Sequence, residues 1–528
     1  MVETWVRITA SLVCSLIVCF ATRNLLGVVQ QSGYQSKAFL RWLKRKDNMA
    51  FNRLSVLSLC LLLSTTITAL CFSFLGTRYA LLISAVPYVA LWLLYIVADK
   101  KYALKVPVKY TGRVKRLFAF YLLFTACSFF ALISLLNFLS VWNGSTLYAL
   151  LSYAPTFILT LLLPFILALA NAFTSVFETA RNKKFVKRAG QVLAERNYIR
   201  VGVVGSYGKT SVKNILETIL SQKYKVLATP ASYNTPVGIA KTVFSENAEN
   251  AEVFIAEMGA RKAGDIAELY EMVKPDYAVF TGVCAQHIAT FGSMENAYAE
   301  KSKILACNKV VCGESLRAQV GENEHAIFAD CVQIKDIRFL PTQTQFTLCL
   351  NDGEIRVTTK ILGKSAVENI RLCALLAKEM GLTLDEIQKG IESVKPVPHR
   401  LQLMESGGVY ILDDGYNANI VGAQEAISAL SRFENKKCVV TQGLVECGVL
   451  EEELNNRLGA MLAKANLDKV ILVGETLVTA VKNGYLSADG DMEKLTVVKS
   501  LEKAKAEYAG YLTTGDAILF LNDLPDFY

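Results

Sequence analysis

Hydrophobic residues are concentrated in the first third of the chain, in five stretches at about residues 5–21, 54–75, 79–98, 117–141 and 147–170. Each is long enough to cross a hydrocarbon core of roughly 30 Å, because a helix rises about 1.5 Å per residue. The first stretch is near the minimum length, but it has neither a basic start nor a cleavage pattern of small residues, which favours a retained helix over a removed signal peptide. We therefore predict a five-helix transmembrane region over residues 1–175.

After residue 175 the pattern changes to short apolar runs that alternate with amphipathic segments. Residues 176–197 predict an amphipathic linker, residues 198–205 (YIRVGVVG) a buried parallel strand, and residues 210–220 (TSVKNILETIL) a helix. From residue 399 the strand pattern recurs in GGVYILDD, KKCVVTQGLVE, DKVILVGET and DAILFLN. Alternating strands and helices predict open parallel sheets with ligands at strand ends. The expected domains are an α/β domain over 198–398 and a second over 399–528.

The charge distribution predicts how the chain is oriented in a membrane. The net charge is +9, and basic residues gather in segments 23–53, 99–116 and 181–188, whereas 76–78 has a single cation and 143–145 has none. By the positive-inside rule the basic segments are cytoplasmic, which places the amino terminus outside and both α/β domains in the cytoplasm. Because the basic runs flank apolar helices instead of forming one continuous face, we expect membrane lipid and no nucleic acid as a partner.

Composition argues against cysteine-based and histidine-rich metal sites and against a transporter. Thirteen cysteines include no CxxC pair and several lie inside apolar runs, so we expect thiols in a reducing compartment. The three histidines (His287, His325 and His399) are too few for a His-rich metal site. The predicted membrane helices contain few ionisable residues, which makes a transporter less favoured.

The turn GSYGKT at 205–210 joins the first predicted strand to its helix and is typical of a phosphate-binding loop. A strand, a glycine-rich turn and a helix start direct backbone N–H groups and the helix dipole at a phosphate. Lys209 would reach the terminal phosphates of ATP, and the Thr210 hydroxyl would lie on Mg²⁺. The standard pattern asks for glycine at position 203, where this chain has Val203, so the loop alone is weak evidence.

A shortened loop of the form G-[ST]-x-G-K-[TS] resembles that of the Mur ligase family, whose members use ATP to join amino acids or peptides to a carboxylate in bacterial cell-wall precursors. The resemblance continues in order through TPASYNTPVGIAKTV (229–243), IAEMGARKAGDI (255–266), VFTGVCAQHIATFGSMENAYAEKSKI (279–304), PHRL (398–401), LDDGYNAN (412–419), TQGLVECG (441–448) and GDAILFLNDLPD (515–526). The string DDGYNAN is most similar to the D-alanyl-D-alanine-adding, MurF-type members. The resemblance implies an ATP-binding P-loop α/β central domain and a Rossmann-like α/β carboxyl-terminal domain.

The resemblance also implies roles for individual residues. The implied nucleotide contacts are Gly205, Ser206, Gly208, Lys209, Thr210, Ser211, Asn369, Arg400, Asp413, Asp414 and Asn417. The implied magnesium ligands are Thr210, Glu257, His287 and Lys301, the last as a carbamylated lysine. Lys209, His287 and Lys301 are the implied catalytic residues, and Asn234 and Thr235 the implied substrate contacts. By residue type alone, Glu257 could be a solvated carboxylate, His287 a core or turn residue, and the Asp413–Asp414 pair a strand-end turn.

Several positions depart from the family pattern. Ser365 and Ala366 replace a His-Asn pair near adenine, which leaves Asn369 as the remaining candidate there. Lys303 stands where an acidic residue is expected, and the terminal FLNDLPD lacks a lysine-glycine pair, so the amino-acid pocket is undefined. Soluble MurF-type relatives carry a domain for the uridine end of the substrate where this chain has its predicted membrane helices. The acceptor could therefore be linked to UDP or to a lipid.

Together these features predict a membrane-anchored, ATP-dependent amide ligase that acts through an acyl phosphate. It would add D-alanyl-D-alanine or an amino acid to a muramyl-peptide cell-wall precursor. One alternative is a poly-γ-glutamate-synthase-like ligase with the same chemistry. The other is a catalytically inert, nucleotide-binding membrane scaffold.

Overall fold

A computed structural model describes residues 2–44, 49–75, 77–100, 107–143, 156–284, 291–415, 419–445, 447, 450–474 and 477–521. The chain forms two compact units, residues 1–183 and residues 184–526, and the boundary between them lies within one long helix. Each unit has its own hydrophobic core.

The described part of the first unit contains helices joined by short connections, and no strands. Its helices are Val2–Ala21, Asn24–Gln31, Ser36–Leu43, Met49–Leu75, Thr77–Lys100, Gly112–Asn143 and the first part of Thr156–Glu195. Large apolar side chains such as Phe39, Trp92 and Leu163 are fully buried where these helices meet. In the same core the hydroxyl groups of Thr22 and Tyr121 lie 2.9 Å apart and share a hydrogen bond, so a polar pair is satisfied there.

Two helices of this unit are long and apolar enough to cross a membrane, over Gly112–Leu135 and Phe157–Glu195. A third candidate is the pair Arg7–Ala21 and Asn24–Gln31, which is bent by 58°. The first four predicted stretches are helical, residues 156–170 of the fifth are helical, and residues 147–155 lie outside the described part. By length and composition the described residues thus contain two or three candidate crossings, and the predicted number of five stays a prediction.

The long helix Thr156–Glu195 carries an exposed apolar stripe. Its members recur every three or four residues: Ile158, Leu162, Phe165, Leu169, Phe173 and Val176. The other side of the helix buries Leu159, Leu163, Leu167 and Thr174 in the unit's core. A continuous apolar stripe on one face is what a lipid-facing helix requires, and soluble surfaces rarely carry one of this length.

The second unit begins with the end of the same helix, because the predicted linker over 176–197 is helical as far as Glu195. A six-stranded, all-parallel sheet follows in the order β2-β3-β1-β4-β5-β6. Its strands are β1 Ile199–Val204, β2 Val226–Ala228, β3 Val253–Glu257, β4 Tyr277–Phe280, β5 Val310–Cys312 and β6 Ala326–Phe328. Its helices are Lys209–Leu220, Pro236–Val243, Asp265–Val273, Met294–Lys301, Arg317–Val320, Lys364–Glu379 and Leu384–Glu392. As expected for a parallel sheet, β1 and β3 are almost entirely buried.

A three-stranded antiparallel sheet, which the sequence analysis did not predict, also belongs to this domain. It consists of β7 Gln333–Phe339, β8 Thr344–Leu350 and β9 Gly353–Thr359. Along β9 every second residue is buried, and Ile355 and Val357 join the same core as Ile219 and Ile387. The sheet therefore packs on the helix Leu384–Glu392 and shares a core with the helix that follows the phosphate loop.

The carboxyl-terminal domain has a six-stranded sheet in the order β10-β11-β15-β12-β13-β14. The strands are β10 Gln402–Ser406, β11 Val409–Asp414, β12 Lys437–Thr441, β13 Lys469–Val473, β14 Leu495–Val498 and β15 Ala517–Leu521, and the helices are Ile420–Leu430, Glu451–Lys464, Val478–Ser487 and Leu501–Ala509. The predicted α/β class is confirmed, but the prediction of a wholly parallel sheet is wrong at β10, which pairs antiparallel to β11. Gly407 and Gly408, both at positive φ (60° and 79°), form the two-residue turn that reverses the chain there.

Candidate active site

The predicted phosphate loop lies between β1 and the helix Lys209–Leu220. Gly208, at φ 74°, forms the cap of that helix, and a Cβ atom there would lie 2.8 Å from the Asn369 Oδ1 atom. Val203, which replaces the expected glycine, is fully buried in β1 and pairs with Glu257 of β3. The strand therefore extends past this position, and the loop is shorter than the standard form because it begins only at Gly205.

Lys209 folds back over its own loop. Its Nζ atom donates to the carbonyl oxygens of Gly205 at 2.8 Å and of Ser206 at 3.4 Å. The Ser206 Oγ atom is buried and has no hydrogen-bond partner within the described part of the chain. A buried hydroxyl without a partner is unfavourable, and a phosphate oxygen in the loop would satisfy it. This arrangement fits a triphosphate, with Thr210 and Ser211 half-buried in the first turn of the helix.

The electrostatic environment of Lys209 shows which other groups lie close to it. Burial disfavours the charged amine and lowers the pKa of Lys209 to about 8, while Glu257 acts in the opposite direction. The positive charges of Lys301 and Arg400 lower this pKa further. The structure therefore brings Glu257, Lys301 and Arg400 close enough to Lys209 for their charges to act on it, and the roles that the resemblance implies for them stay predictions.

Glu257, the predicted magnesium ligand, ends β3 and is 1% exposed. Its Oε1 atom accepts a hydrogen bond from Asn234 Nδ2 at 3.2 Å, so the predicted substrate contact Asn234 also lies at this site. The Oε2 atom is buried and accepts no hydrogen bond from any residue that the structure describes. An unsatisfied carboxylate oxygen beside a phosphate loop fits a divalent cation, because Mg²⁺ prefers oxygen ligands.

Lys213, which the sequence analysis missed, is the charged neighbour of that oxygen. Its Nζ atom lies 3.7 Å from Glu257 Oε2, both side chains are 1% exposed, and the same amine donates to the carbonyl oxygen of Ala231. Lys213 follows Lys209 by four residues and so lies on the same face of the helix. Its flanking residues Val212 and Ile215 are buried. A lysine on the apolar face of TSVKNILETIL was the available signal.

Lys301 is the last residue of the helix Met294–Lys301 and is 2% exposed. Its Nζ atom lies 4.7 Å from the centroid of the Phe291 ring. Burial lowers the pKa of Lys301, against the opposing effects of Cys284, Glu300 and Asp265. A lowered pKa increases the fraction of neutral amine, the form that carbamylation requires.

Three other positions singled out in the sequence are Lys303, His287 and Thr235. Lys303, which stands where an acidic residue was expected, pairs with Glu300 Oε2 at 2.6 Å. His287 lies outside the described residues. Thr235 caps the helix Pro236–Val243 by accepting from the backbone N–H of Gly238 at 3.3 Å, which leaves its hydroxyl proton available, and its role as a substrate contact stays a prediction. Within the described ranges no group of three or more His, Cys, Asp or Glu side chains could hold a metal, so the implied magnesium ligands that the structure describes are Thr210, Glu257 and Lys301.

The carboxyl-terminal domain contributes two carboxylates at the end of β11. Asp413 Oδ2 lies 2.7 Å from His399 Nδ1, and its Oδ1 atom accepts from the backbone N–H of Gly415. Asp414 Oδ1 accepts from the backbone N–H of Leu401 at 3.0 Å. The predicted pair is therefore fixed by the PHRL segment. The sequence analysis had given His399 no role. Asn417, which the resemblance implied as a nucleotide contact, lies outside the described residues.

Two positions near the family's adenine string also have defined contacts. Asn369 is 8% exposed and lies against Gly208, which places it at the phosphate loop. The backbone N–H and the hydroxyl of Ser365 both donate to Glu425 Oε1, at 2.9 and 2.7 Å. Ser365, which stands where the family pattern has a histidine, thus forms hydrogen bonds to the helix Ile420–Leu430 of the carboxyl-terminal domain.

The pKa of Asp414 leads to a prediction about stability. Burial raises this pKa to about 6, against the backbone hydrogen bond from Leu401 and the charge of Arg400. The folded state then binds more protons than the unfolded state between about pH 4 and 6, so this contribution to stability is present below pH 4 and is lost as pH rises through 6. Thermal unfolding measured from pH 4 to 8 should show that Asp414→Asn gains stability relative to the parent as pH rises, by up to about 3 kcal/mol at pH 7.

Glu249→Gln is the control for this measurement, because Glu249 is an exposed carboxylate. It should follow the parent at every pH. A constant difference between Asp414→Asn and the parent across the series would contradict the assigned pKa.

Comparisons with known proteins agree with this arrangement. Residues 203–377 match the Mur ligase middle domain, and residues 399–522 match the glutamate ligase domain of Mur ligases. The UDP-N-acetylmuramoyl-tripeptide–D-alanyl-D-alanine ligase of Bacillus subtilis is 28% identical over 61% of this chain and 72% of its own length. The Escherichia coli enzyme of the same name is 28% identical over 52% of this chain and 64% of its own length.

Solved structures show the same fold. A MurF ligase from Thermotoga maritima in complex with ADP has a TM-score of 0.58 and 27% identity, and the match covers 65% of this chain and 80% of that one. A MurF from Acinetobacter baumannii has a TM-score of 0.59, at 22% identity, over 66% of this chain and 78% of its own. The matches leave roughly a third of the Escherichia coli relative uncovered, so what those whole proteins act on is carried to this chain only as a proposal.

Proposed function

Because residues 203–377 and 399–522, more than half of the chain, belong to the Mur ligase family, a family of ATP-dependent ligases, we propose that the protein forms an amide on a carboxylate through an acyl phosphate. The observation that carries this proposal is the convergence of Lys209, Glu257 and Lys301 at one phosphate loop. A lysine and metal ligands at that position neutralise charge as a γ-phosphoryl group is transferred. The family and the enzyme class that the sequence predicted are confirmed. The acyl-phosphate mechanism is part of the proposal.

The reaction uses the side chains in the following way. Lys209 leaves its loop carbonyls and holds the terminal phosphates of ATP, while Ser206 donates its unpaired hydroxyl to a phosphate oxygen. Thr210, Glu257 and Lys301 would hold Mg²⁺, which when bound supplies Lewis-acid stabilisation of the transferring group. A carboxylate oxygen of the acceptor attacks the γ-phosphorus, ADP leaves, and an amine then displaces phosphate from the acyl carbon. Arg400, whose charge acts on both Lys209 and Asp414, would contact the phosphates, with Asp414 beside the transferred group.

We also propose that Lys301 is carbamylated. The neutral amine adds to CO₂, and a proton is released as the carbamate forms, which converts a buried cation into a metal-binding carboxylate. Protein equilibrated with ¹³CO₂ at pH 8 should show a carbamate carbon signal that disappears in Lys301→Ala and persists in the exposed control Lys262→Ala. Activity should fall at least about tenfold after CO₂ is removed, because a ligand is lost.

A carbamate signal of equal size in Lys301→Ala would assign the modification elsewhere. Unchanged activity after CO₂ removal would show that the unmodified amine is sufficient.

The names of the Bacillus subtilis and Escherichia coli relatives indicate an amine donor and an acceptor. We propose D-alanyl-D-alanine as donor and a muramyl peptide, UDP-linked or lipid-linked, as acceptor. A screen of the detergent-purified full chain, with phosphate release as readout, should give turnover with D-alanyl-D-alanine and little with L-glutamate. Turnover with glutamate alone would favour the polymer-forming alternative, and ATP binding without turnover for any donor would favour the scaffold.

The membrane location is a further part of the proposal. The apolar helices Gly112–Leu135 and Phe157–Glu195 and the exposed stripe on the second support membrane association. The basic segments favour an outside amino terminus and cytoplasmic catalytic domains. Such an anchor would hold the ligase near membrane-associated precursors or partner enzymes.

A further inference from the structure

A cluster of charged side chains lies between the two longest candidate membrane helices, within the first unit. Glu178, on the helix Thr156–Glu195, is 4% exposed. Its Oε1 atom accepts from Arg116 Nε at 2.6 Å, and its Oε2 atom accepts from Arg181 Nη2 at 2.9 Å. Arg113 lies one turn before Arg116 on the helix Gly112–Asn143. We call Arg113, Arg116, Arg181 and Glu178 the arginine cluster.

Arg113 is held in place but its hydrogen bonds are incomplete. Its guanidinium carbon lies 3.8 Å from the centroid of the Tyr34 ring, and Nη2 is 3.5 Å from Ser175 Oγ. Its Nε atom is buried and donates to no acceptor in the described part of the chain. The cluster thus sets three guanidinium groups against one carboxylate, with a buried donor left over, which is the composition of a site that lacks an anion.

An exposed aromatic surface adjoins the arginine cluster. Phe120 and Phe124 follow Arg116 on the same face of their helix, at steps of four residues. They meet Phe173 and Phe177 of the other helix, with centroids 5.0 Å apart for Phe120–Phe173, 5.7 Å for Phe124–Phe173 and 6.2 Å for Phe120–Phe177. Phe173 and Phe177 are 42% and 57% exposed. The arginines therefore cap one end of an apolar surface that faces outward.

We propose that the arginine cluster and these four phenylalanines bind an acidic phospholipid, with the phosphate on the arginines and an acyl chain along the rings. Guanidinium groups match the geometry of phosphate oxygens, and basic pockets between membrane helices are typical sites for anionic headgroups. The apolar surface is continuous with the cluster, so a lipid satisfies both features whereas a soluble anion satisfies one. The inference rests on the membrane location proposed above.

Binding of phosphatidylglycerol and phosphatidylcholine to the full chain, purified in detergent and measured by native mass spectrometry, tests this site. The parent protein should bind phosphatidylglycerol at least about tenfold more tightly, since each arginine near a headgroup contributes about fivefold. Arg116→Gln with Arg181→Gln should lose most of that preference. Lys115→Gln, which removes an exposed charge from the same turn, should keep it.

Two single variants guard against a folding effect. Glu178→Gln removes the carboxylate that competes for the arginines, so it should raise the preference for phosphatidylglycerol severalfold, which a purely structural role does not predict. Phe177→Ala should weaken binding of both lipids, because it shortens the apolar surface. Inorganic phosphate at millimolar concentration should not displace phosphatidylglycerol.

Equal binding of the two lipids by the parent would overturn the proposal, as would equal losses in the arginine variants and in Lys115→Gln. Displacement of phosphatidylglycerol by inorganic phosphate would reduce the site to an anion site. Binding of a polyprenyl phosphate in preference to phosphatidylglycerol would replace the proposed ligand class. A vesicle flotation assay separates these outcomes from failure of the membrane location, because a protein that does not float with any vesicle contradicts that earlier proposal instead.

Discussion

Replacing Lys209 with methionine should lower ATP-dependent phosphate release by about 100- to 1,000-fold, the largest effect expected of any single substitution. Lys209 is the cation that its loop holds ready, with its amine on the carbonyl oxygens of Gly205 and Ser206. When a phosphoryl group moves, a preorganised positive charge in a closed site stabilises the transition state by several kcal/mol, roughly 3–4. Methionine keeps the apolar stem and removes only that charge. The measurement is the steady-state rate at saturating MgATP.

The same variant should fold at least as well as the parent protein. Burial lowers the pKa of Lys209 to about 8, so below that pH the folded state carries the cost of a buried cation. Removing the cation therefore relieves folding at pH 7, and the melting midpoint of the nucleotide-free variant should be unchanged or higher. Lys262→Met, at an exposed lysine, is the matched control and should keep both rate and melting midpoint. A Lys209→Met protein that is fully active contradicts the assignment of this loop.

Replacing Glu257 with glutamine should reduce activity by about 100-fold or more and also destabilise the protein by about 3 kcal/mol. The activity falls because the carboxylate is the strongest candidate magnesium ligand at the site. Stability falls for a separate reason, since Lys213 is 1% exposed and would lose the partner 3.7 Å away. Phosphate release titrated with Mg²⁺ measures the first effect, and melting of the metal-free protein measures the second.

A double variant separates these two effects. Lys213→Met in the Glu257→Gln background removes both charges of the buried pair, so it should recover most of the lost stability while activity stays low. Lys213→Met alone should be destabilised without metal and rescued by Mg²⁺, because the cation replaces the missing ammonium. Glu249→Gln, at an exposed carboxylate, should match the parent in both measurements. Recovered activity in the double variant would mean that Glu257 acts only on the fold.

Local patterns in the sequence were sufficient to predict the phosphate loop. The run YIRVGVVG is apolar and is followed by glycines and then by a helical pattern. A short stretch of sequence is therefore enough to predict β1 and the helix Lys209–Leu220. Glu257 was implied as a magnesium ligand by the family string IAEMGARKAGDI that contains it. Parallel pairing of β1 with β3 then places that carboxylate beside the loop.

Contacts between residues far apart in sequence were not predictable in this way. The pair Lys213–Glu257 and the pair His399–Asp413 each require a register that no local pattern encodes. The same is true of β10, whose reversal depends on two glycines at positive φ, and of the sheet β7-β8-β9. Sequence reasoning finds residues that carry chemistry by type and motif. The partners that tune them emerge only when the sheet is assembled.

The membrane unit shows the same division between local and distant information. Hydropathy located helices at each apolar stretch, because bilayer thickness sets a simple length rule. Hydropathy did not reveal that Glu178 pairs with Arg116 of another helix and Arg181 of its own. In a sequence, charged residues near helix ends indicate only which side of the membrane a segment faces. Helix pairing, which buries Glu178, determines that contact.

The most direct test of the central claim follows an isotope from the acceptor to phosphate. If an acceptor carboxylate attacks the γ-phosphorus and an amine then displaces phosphate, one carboxylate oxygen leaves with that phosphate. Acceptor labelled with ¹⁸O in its carboxylate should therefore yield phosphate that contains one ¹⁸O atom per turnover, measured by mass spectrometry after reaction with MgATP and D-alanyl-D-alanine. Phosphate released without the label, while the amide product forms, would contradict transfer of the phosphoryl group to the acid.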